Sequence, residues 1–163
     1  IEAGTDAQLQ ERNFGALRGR AYDTLGFDPL QMSAAPPGGE SIEQFEQRVA
    51  RALAALCARA AAMSGDLIVI THGLLIRTLL QRHLLLPAGH ALPEHMANTS
   101  LTRFEPVAPY RASLVNCDAH LDAATRAERR GVARVVDGRW AGATPRRRGA
   151  HPRPARDTPR PPC

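Results

Sequence analysis

Two short stretches of the sequence hold residue types able to do chemistry. The first is Thr71-His72-Gly73. Leu67-Ile68-Val69-Ile70-Thr71 is a continuous apolar run of strand length, as in strands covered on both faces. A helical pattern follows Gly73, so His72 falls at the carboxyl end of a buried strand, the edge where α/β proteins bind ligands. A helix start there offers free backbone N–H groups and a positive dipole end to an anion such as phosphate, and Gly73 permits close approach. In that position His72 has several roles open to it: hydrogen-bond donor to a phosphoryl oxygen, nucleophile, or acid–base group. The plainer alternative is a histidine packed at a strand end. The second stretch is Leu9-Gln10-Glu11-Arg12-Asn13-Phe14-Gly15-Ala16-Leu17-Arg18-Gly19. Its Glu11, beside Arg12 in a loop with two glycines, has the makings of a general acid near an anion. Alone, it reads more simply as a solvated polar turn.

The elements that must position these residues follow from periodicity. Residues 1–40 show little of it and read as loop with at most one short helix. Ser41 with Gln44 three residues later is a capping box. Phe45, Val49, Leu53, Leu56, Ala60 and Met63 then recur at steps of three and four, which predicts a helix over 41–64 ended by Gly65 in a left-handed conformation. Leu74–His83 reads as a second helix, stopped before Pro87. Thr99–Glu105 and Arg111–Asn116 read as neighbouring strands joined by residues 106–110. Helix, buried strand, short turn and helix in succession are the pattern of an α/β fold.

Composition bounds the rest. At 163 residues, 44% apolar and 23% charged, the chain is the size and make-up of one globular domain. No apolar run reaches the length of a membrane span, and residues 1–11 lack the basic cluster of a secretory signal. The net charge of +5 is unevenly spread: residues 126–163 hold eleven Arg against three acids, whereas residues 1–125 hold ten Arg against thirteen. The body is therefore mildly acidic and the basicity belongs to a tail. The chain has no Lys at all, which argues for coding bias over an evolved nucleic-acid surface. Six of the thirteen prolines lie in residues 145–162, so residues 123–163 are expected to be a disordered tail and residues 1–122 the folded domain. Cys57, Cys117 and Cys163 form no CxxC pair, and Cys117-x-x-His120 has no second pair to complete a metal site. No metal and no cofactor are expected, and a reducing cytoplasm is the default compartment. His83 reads as a helix-end residue. His90 and His95, despite Glu94, lack the helical H-E-x-x-H pattern and read as connector residues.

Taken together the motifs resemble those of the histidine phosphatase superfamily, the phosphoglycerate mutase-like proteins, over about residues 5–122. Leu9–Gly15 with Gly19 looks like the family's catalytic-acid segment. Pro36-Pro37-Gly38-Gly39-Glu40-Ser41 looks like its entry to a long helix, and Ile70-Thr71-His72-Gly73 with Ile76-Arg77 like its second histidine motif. Asn98-Thr99-Ser100, and Asn116 with His120-Leu121, resemble its closing strand and final turn. The resemblance implies a three-layer α/β/α sandwich with a mainly parallel sheet. It also implies a phosphohistidine mechanism, in which a histidine of an Arg-His-Gly loop attacks phosphorus and a carboxylic acid protonates the leaving oxygen, then activates water. By that resemblance Glu11 is the acid and base, His72 is the histidine that holds the phosphoryl group, and Arg12, Gly73 and Leu74 bind the substrate.

Two departures matter. Arg-His-Gly occurs nowhere in residues 1–163. In the family pattern it lies upstream of residue 1, on a central strand, so the sequence reads as the C-terminal part of such an enzyme with an open strand edge and a complementing N-terminal segment to be supplied. The connector Arg20–Pro37 is also short and free of Trp, and Leu74 stands where the glycolytic mutases have Asn. These features favour a phosphatase of a small phosphomonoester over a mutase, with a non-catalytic phosphate-binding remnant as the other reading. Membrane and nucleic-acid partners are not expected.

Overall fold

A computed structural model of the chain describes residues 3–123, 125, 135–136 and 139–140. Two helices dominate it. Helix α1, Ile42–Ala61, opens on the capping box: Ser41 Oγ accepts the Gln44 N–H at 3.1 Å, and Gln44 Oε1 accepts the Ser41 N–H at 2.9 Å. Two donors that the helix start would leave unpaired are thereby satisfied reciprocally. The other end differs from expectation. The helix stops at Ala61, and Gly65 is not among the residues with positive φ. The last turn tightens instead, with Ala62 and Met63 donating to Arg59 and Ala60.

Helix α2, Gly73–Arg82, is capped by His72 at its start and His83 at its end. The apolar stripe of α1 packs Phe45, Val49, Leu53 and Cys57 against Leu75, Leu79 and Leu80 of α2 and Leu84 beyond it. Val49 and Leu75 are the largest fully enclosed side chains. Cys57 is a buried free thiol, and burial pushes its pKa up. Strands β1, Leu101–Phe104, and β2, Ala112–Cys117, pair antiparallel as expected. The far edge of β2 takes one parallel bridge, Leu85 to Arg111.

The expected parallel sheet is not present among the described residues. Leu67–Ile70 forms no backbone hydrogen bond there, and Ile68 and Ile70 are 82% and 92% exposed. An apolar β-branched run favours extended backbone, but a ladder needs a second edge to donate to and accept from. None lies alongside these residues among the described ones. Of the segment expected to be disordered, residues 123 and 125 and a two-residue antiparallel pairing of β3, Val135–Val136, with β4, Arg139–Trp140, are described. The remainder of that expectation lies outside the described residues. Among the described residues no helix is long and apolar enough to cross a membrane.

Leu75 of α2 is buried in the core cluster that α1 and α2 share. Replacing it by Ala is expected to lower the unfolding free energy by about 2–5 kcal/mol. The change should show as a lower urea midpoint at unchanged m-value.

Candidate active site

The site is assembled where the Glu11 loop meets the first turn of α2. Thr71 Oγ1 donates to the Leu9 carbonyl at 2.6 Å, fastening the segment that carries His72 to the segment that carries Glu11. The Glu11 carboxylate then lies across the helix start, with Oε2 accepting the Leu74 N–H at 3.2 Å and Oε1 accepting the Arg12 N–H at 3.0 Å. A carboxylate suits that place, because the unpaired N–H groups and the dipole give the N-terminus a partial positive charge. His72 is the N-cap residue, in extended backbone and making no side-chain capping bond. Its exposed ring has no hydrogen-bond partner among the described residues.

Of the residues singled out from sequence, Glu11, His72, Gly73 and Leu74 thus come together at one helix end. Arg12 is placed otherwise. It is 4% exposed, and its guanidinium turns inward: Nη2 donates to the Met32 carbonyl at 2.7 Å and to Glu40 O at 3.2 Å, and Nε to Glu40 O at 3.3 Å. Phe14 packs against it, with the guanidinium carbon 5.2 Å from the ring centroid. Burial pushes its pKa below the ordinary arginine value, with Glu40 pulling the other way. Its side chain holds the loop, and its backbone N–H is what it gives to Glu11.

Two residues that the sequence reading did not assign hold the whole arrangement. Glu40 meets Arg48 of α1 in a two-pronged ion pair, with Nε to Oε1 at 2.7 Å and Nη2 to Oε2 at 2.8 Å, and it also accepts the Asn13 N–H at 2.9 Å. The remaining donors of Arg48 reach the carbonyls of Gln8 (2.7 Å), Gln10 (2.9 Å) and Glu11 (3.2 Å). One guanidinium therefore fixes the backbone on which the Glu11 carboxylate rides. Its hydrogen bond with Glu40 raises the Arg48 pKa and, from the other side, is the main cause that lowers that of Glu40, with the Asn13 N–H adding to it. Glu40 stands in Pro-Gly-Gly-Glu-Ser, but nothing in the spacing marked Arg48 as its partner or Gln8–Glu11 as its targets.

Close backbone approach completes the loop. Gly15 has φ +49°, and a side chain on it would collide with the Pro37 carbonyl. Asn13 Oδ1 accepts the Gly15 N–H at 2.9 Å, while Ala16 N–H donates to Pro37 O at 2.9 Å. The Leu9–Gly19 and Pro36–Ser41 motifs are in this way one folded unit. Among the described residues, no group of three or more His, Cys, Asp or Glu side chains is placed to hold a metal ion.

Compared with known proteins, residues 1–116 match the family described as the histidine phosphatase superfamily (branch 1). No curated protein matches the chain.

The Glu40 carboxylate offers a pH test of this framework. Its folded pKa is depressed, so the stability it contributes is fully present above the ordinary glutamate value of about 4.3 and is lost as pH falls through the lower folded value. Glu40→Gln is expected to cost about 1.5–3 kcal/mol at neutral pH. It should also flatten the decline of unfolding free energy between about pH 5 and pH 3. Urea titrations of both proteins across that range check the outcome. A parallel decline in the two would place the acid sensitivity elsewhere.

Proposed function

The chain belongs to the histidine phosphatase superfamily, which makes its function of the phosphatase or mutase type, and on that premise we propose that it is part of a phosphatase acting on a small phosphomonoester through a phosphohistidine. The observation that carries this reading is the meeting of Glu11 and the His72–Leu74 turn, more than sixty residues apart in the chain, at one helix N-terminus. In the proposal Glu11 is the acid that protonates the leaving oxygen and the base that then activates water. A carboxylate whose two oxygens each accept a single N–H retains lone pairs for that proton. His72 and the Gly73 amide hold the phosphoryl oxygens, where pre-aimed donors stabilise the developing charge, while the Leu74 N–H stays with Glu11 Oε2. Arg12 serves by holding the loop, and no metal or cofactor takes part.

The nucleophile in this reading comes from a segment outside residues 1–163, bearing Arg-His-Gly. The exposure of Ile68 and Ile70, with no backbone hydrogen bond to Leu67–Ile70 among the described residues, supports a complementing strand beside them. The short, Trp-free connector of residues 20–37 supports phosphatase over mutase, and a cytoplasmic setting goes with a small soluble substrate. The lack of Arg-His-Gly within the 163 residues favours a second reading for these residues taken alone: a module that binds phosphate and turns nothing over.

Two measurements test the proposal. Inorganic phosphate or vanadate should bind weakly, and His72→Ala should lose affinity by an amount in keeping with a hydrogen bond to a charged group, about 1.5–3 kcal/mol. An unchanged titration would remove His72 from the site. Residues 1–163 should not hydrolyse p-nitrophenyl phosphate, because loss of a catalytic nucleophile costs about 10⁶ in rate. Adding the Arg-His-Gly segment, fused or separate, should restore turnover that Glu11→Gln abolishes. Hydrolysis by the unsupplemented chain with acid-labile phosphate on His72 would make His72 the nucleophile instead.

A further inference from the structure

Strand β2 carries a surplus residue opposite β1. Leu101 pairs with Cys117 and Arg103 with Leu114, so two steps on one strand face three on the other. Asn116 lies in that bulge with φ +50°, a left-handed conformation that asparagine tolerates better than most residues. Its N–H bonds to Thr102 Oγ1 at 3.2 Å, and its side-chain amide bonds outside the ladder. That amide is spent on one stretch of chain, with Oδ1 accepting the Ala97 N–H at 2.8 Å and Nδ2 donating to the His95 carbonyl at 3.1 Å.

Between those two contacts stands Met96, whose Cβ is 3.6 Å from the point where a side chain on Gly73 would begin. Met96 and Leu92 also pack on the core. At the other end, Arg77 Nε of α2 donates to the Pro93 carbonyl at 3.3 Å. Residues 92–97 are therefore pinned by β2, by α2 and by the core, beside the first residue of α2. Within that stretch only Glu94 and His95 are exposed, and His95 Nε2 lies 3.7 Å from Glu94 Oε1.

We propose that Asn116 is a positioning residue of the phosphoryl site. Its amide holds the 95–97 backbone against Gly73 and so presents His95 and Glu94 to the leaving-group side of a bound phosphomonoester. The proposal rests on the reading that the α2 N-terminus holds phosphate. It also narrows the substrate class: a hydroxylated leaving group finds donors and acceptors in this pair, whereas an apolar one would desolvate them without return.

The test is a titration of the ¹⁵N-labelled chain with inorganic phosphate, glycerol 2-phosphate and phenyl phosphate, followed at the Gly73 and Leu74 amides. The native protein should prefer glycerol 2-phosphate to phenyl phosphate. His95→Ala should abolish that preference and leave inorganic phosphate unchanged. Asn116→Gly keeps the left-handed backbone and removes the amide. It should weaken glycerol 2-phosphate about threefold or more, the scale of one lost hydrogen bond, while the α1 amide shifts stay in place. Asn116→Asp keeps an acceptor for the Ala97 N–H and should fall between the two, which a general loss of structure would not produce. Native-like affinity and preference in Asn116→Gly would overturn the proposal while leaving the phosphate site standing. If none of the three ligands moves the Gly73 and Leu74 amides of the native protein, the site reading and this proposal fall together.

Discussion

The Arg48 guanidinium is the constraint on which the rest of the site depends. It leaves a well-packed helix, meets Glu40 with two of its nitrogens, and uses its remaining capacity on three backbone carbonyls of the Gln8–Glu11 segment. A planar fork of five donors is the side chain able to gather so many acceptors at once. Because Glu40 also takes the Asn13 N–H, and its carbonyl takes the Arg12 guanidinium, the loop is tied to the helix start from both sides. Both partners are largely shielded from solvent, so breaking the pair would leave a charge with little water to replace its partner.

This framework delivers a carboxylate to a helix N-terminus, an arrangement with two physical consequences. The positive end of α2 is a favourable place for an anion. The same N–H groups are the donors that a phosphoryl group would seek. Glu11 takes one member of that donor set, the Leu74 N–H, with His72 exposed at its edge. Acid–base chemistry at a leaving oxygen needs a carboxylate within reach of phosphorus while other donors hold the phosphoryl oxygens.

The packing is uneven in a way that bears on assembly. α1 and α2 bury a continuous apolar seam, and β2 is bonded on both edges, by β1 and at Leu85. Leu67–Ile70 has the apolar content of a core strand and the exposure of a surface loop. An apolar run in that state is an interaction site or an aggregation hazard. It leads straight into Thr71 and His72, so whatever covers it also bears on the turn that carries His72.

What was legible in the sequence is what local rules govern. The capping box at Ser41, the apolar stripe of α1, the start of α2 at Gly73 and the pairing of the two strands depend on neighbours a few residues away, and those periods are written in the chain. The types and order of the motifs likewise pointed to the histidine phosphatase superfamily. Tertiary structure alone decided which partner each charged group takes. Arg12, adjacent to Glu11 in sequence, turns inward to Met32 and Glu40, while Arg48, 37 residues away, holds the Glu11 backbone. The bulge that frees the Asn116 amide was equally hidden, because register is a relation between two strands. The ladder expected for Leu67–Thr71 is absent among the described residues for the same reason: strand propensity resides in a segment, but hydrogen bonds reside in a pair of edges.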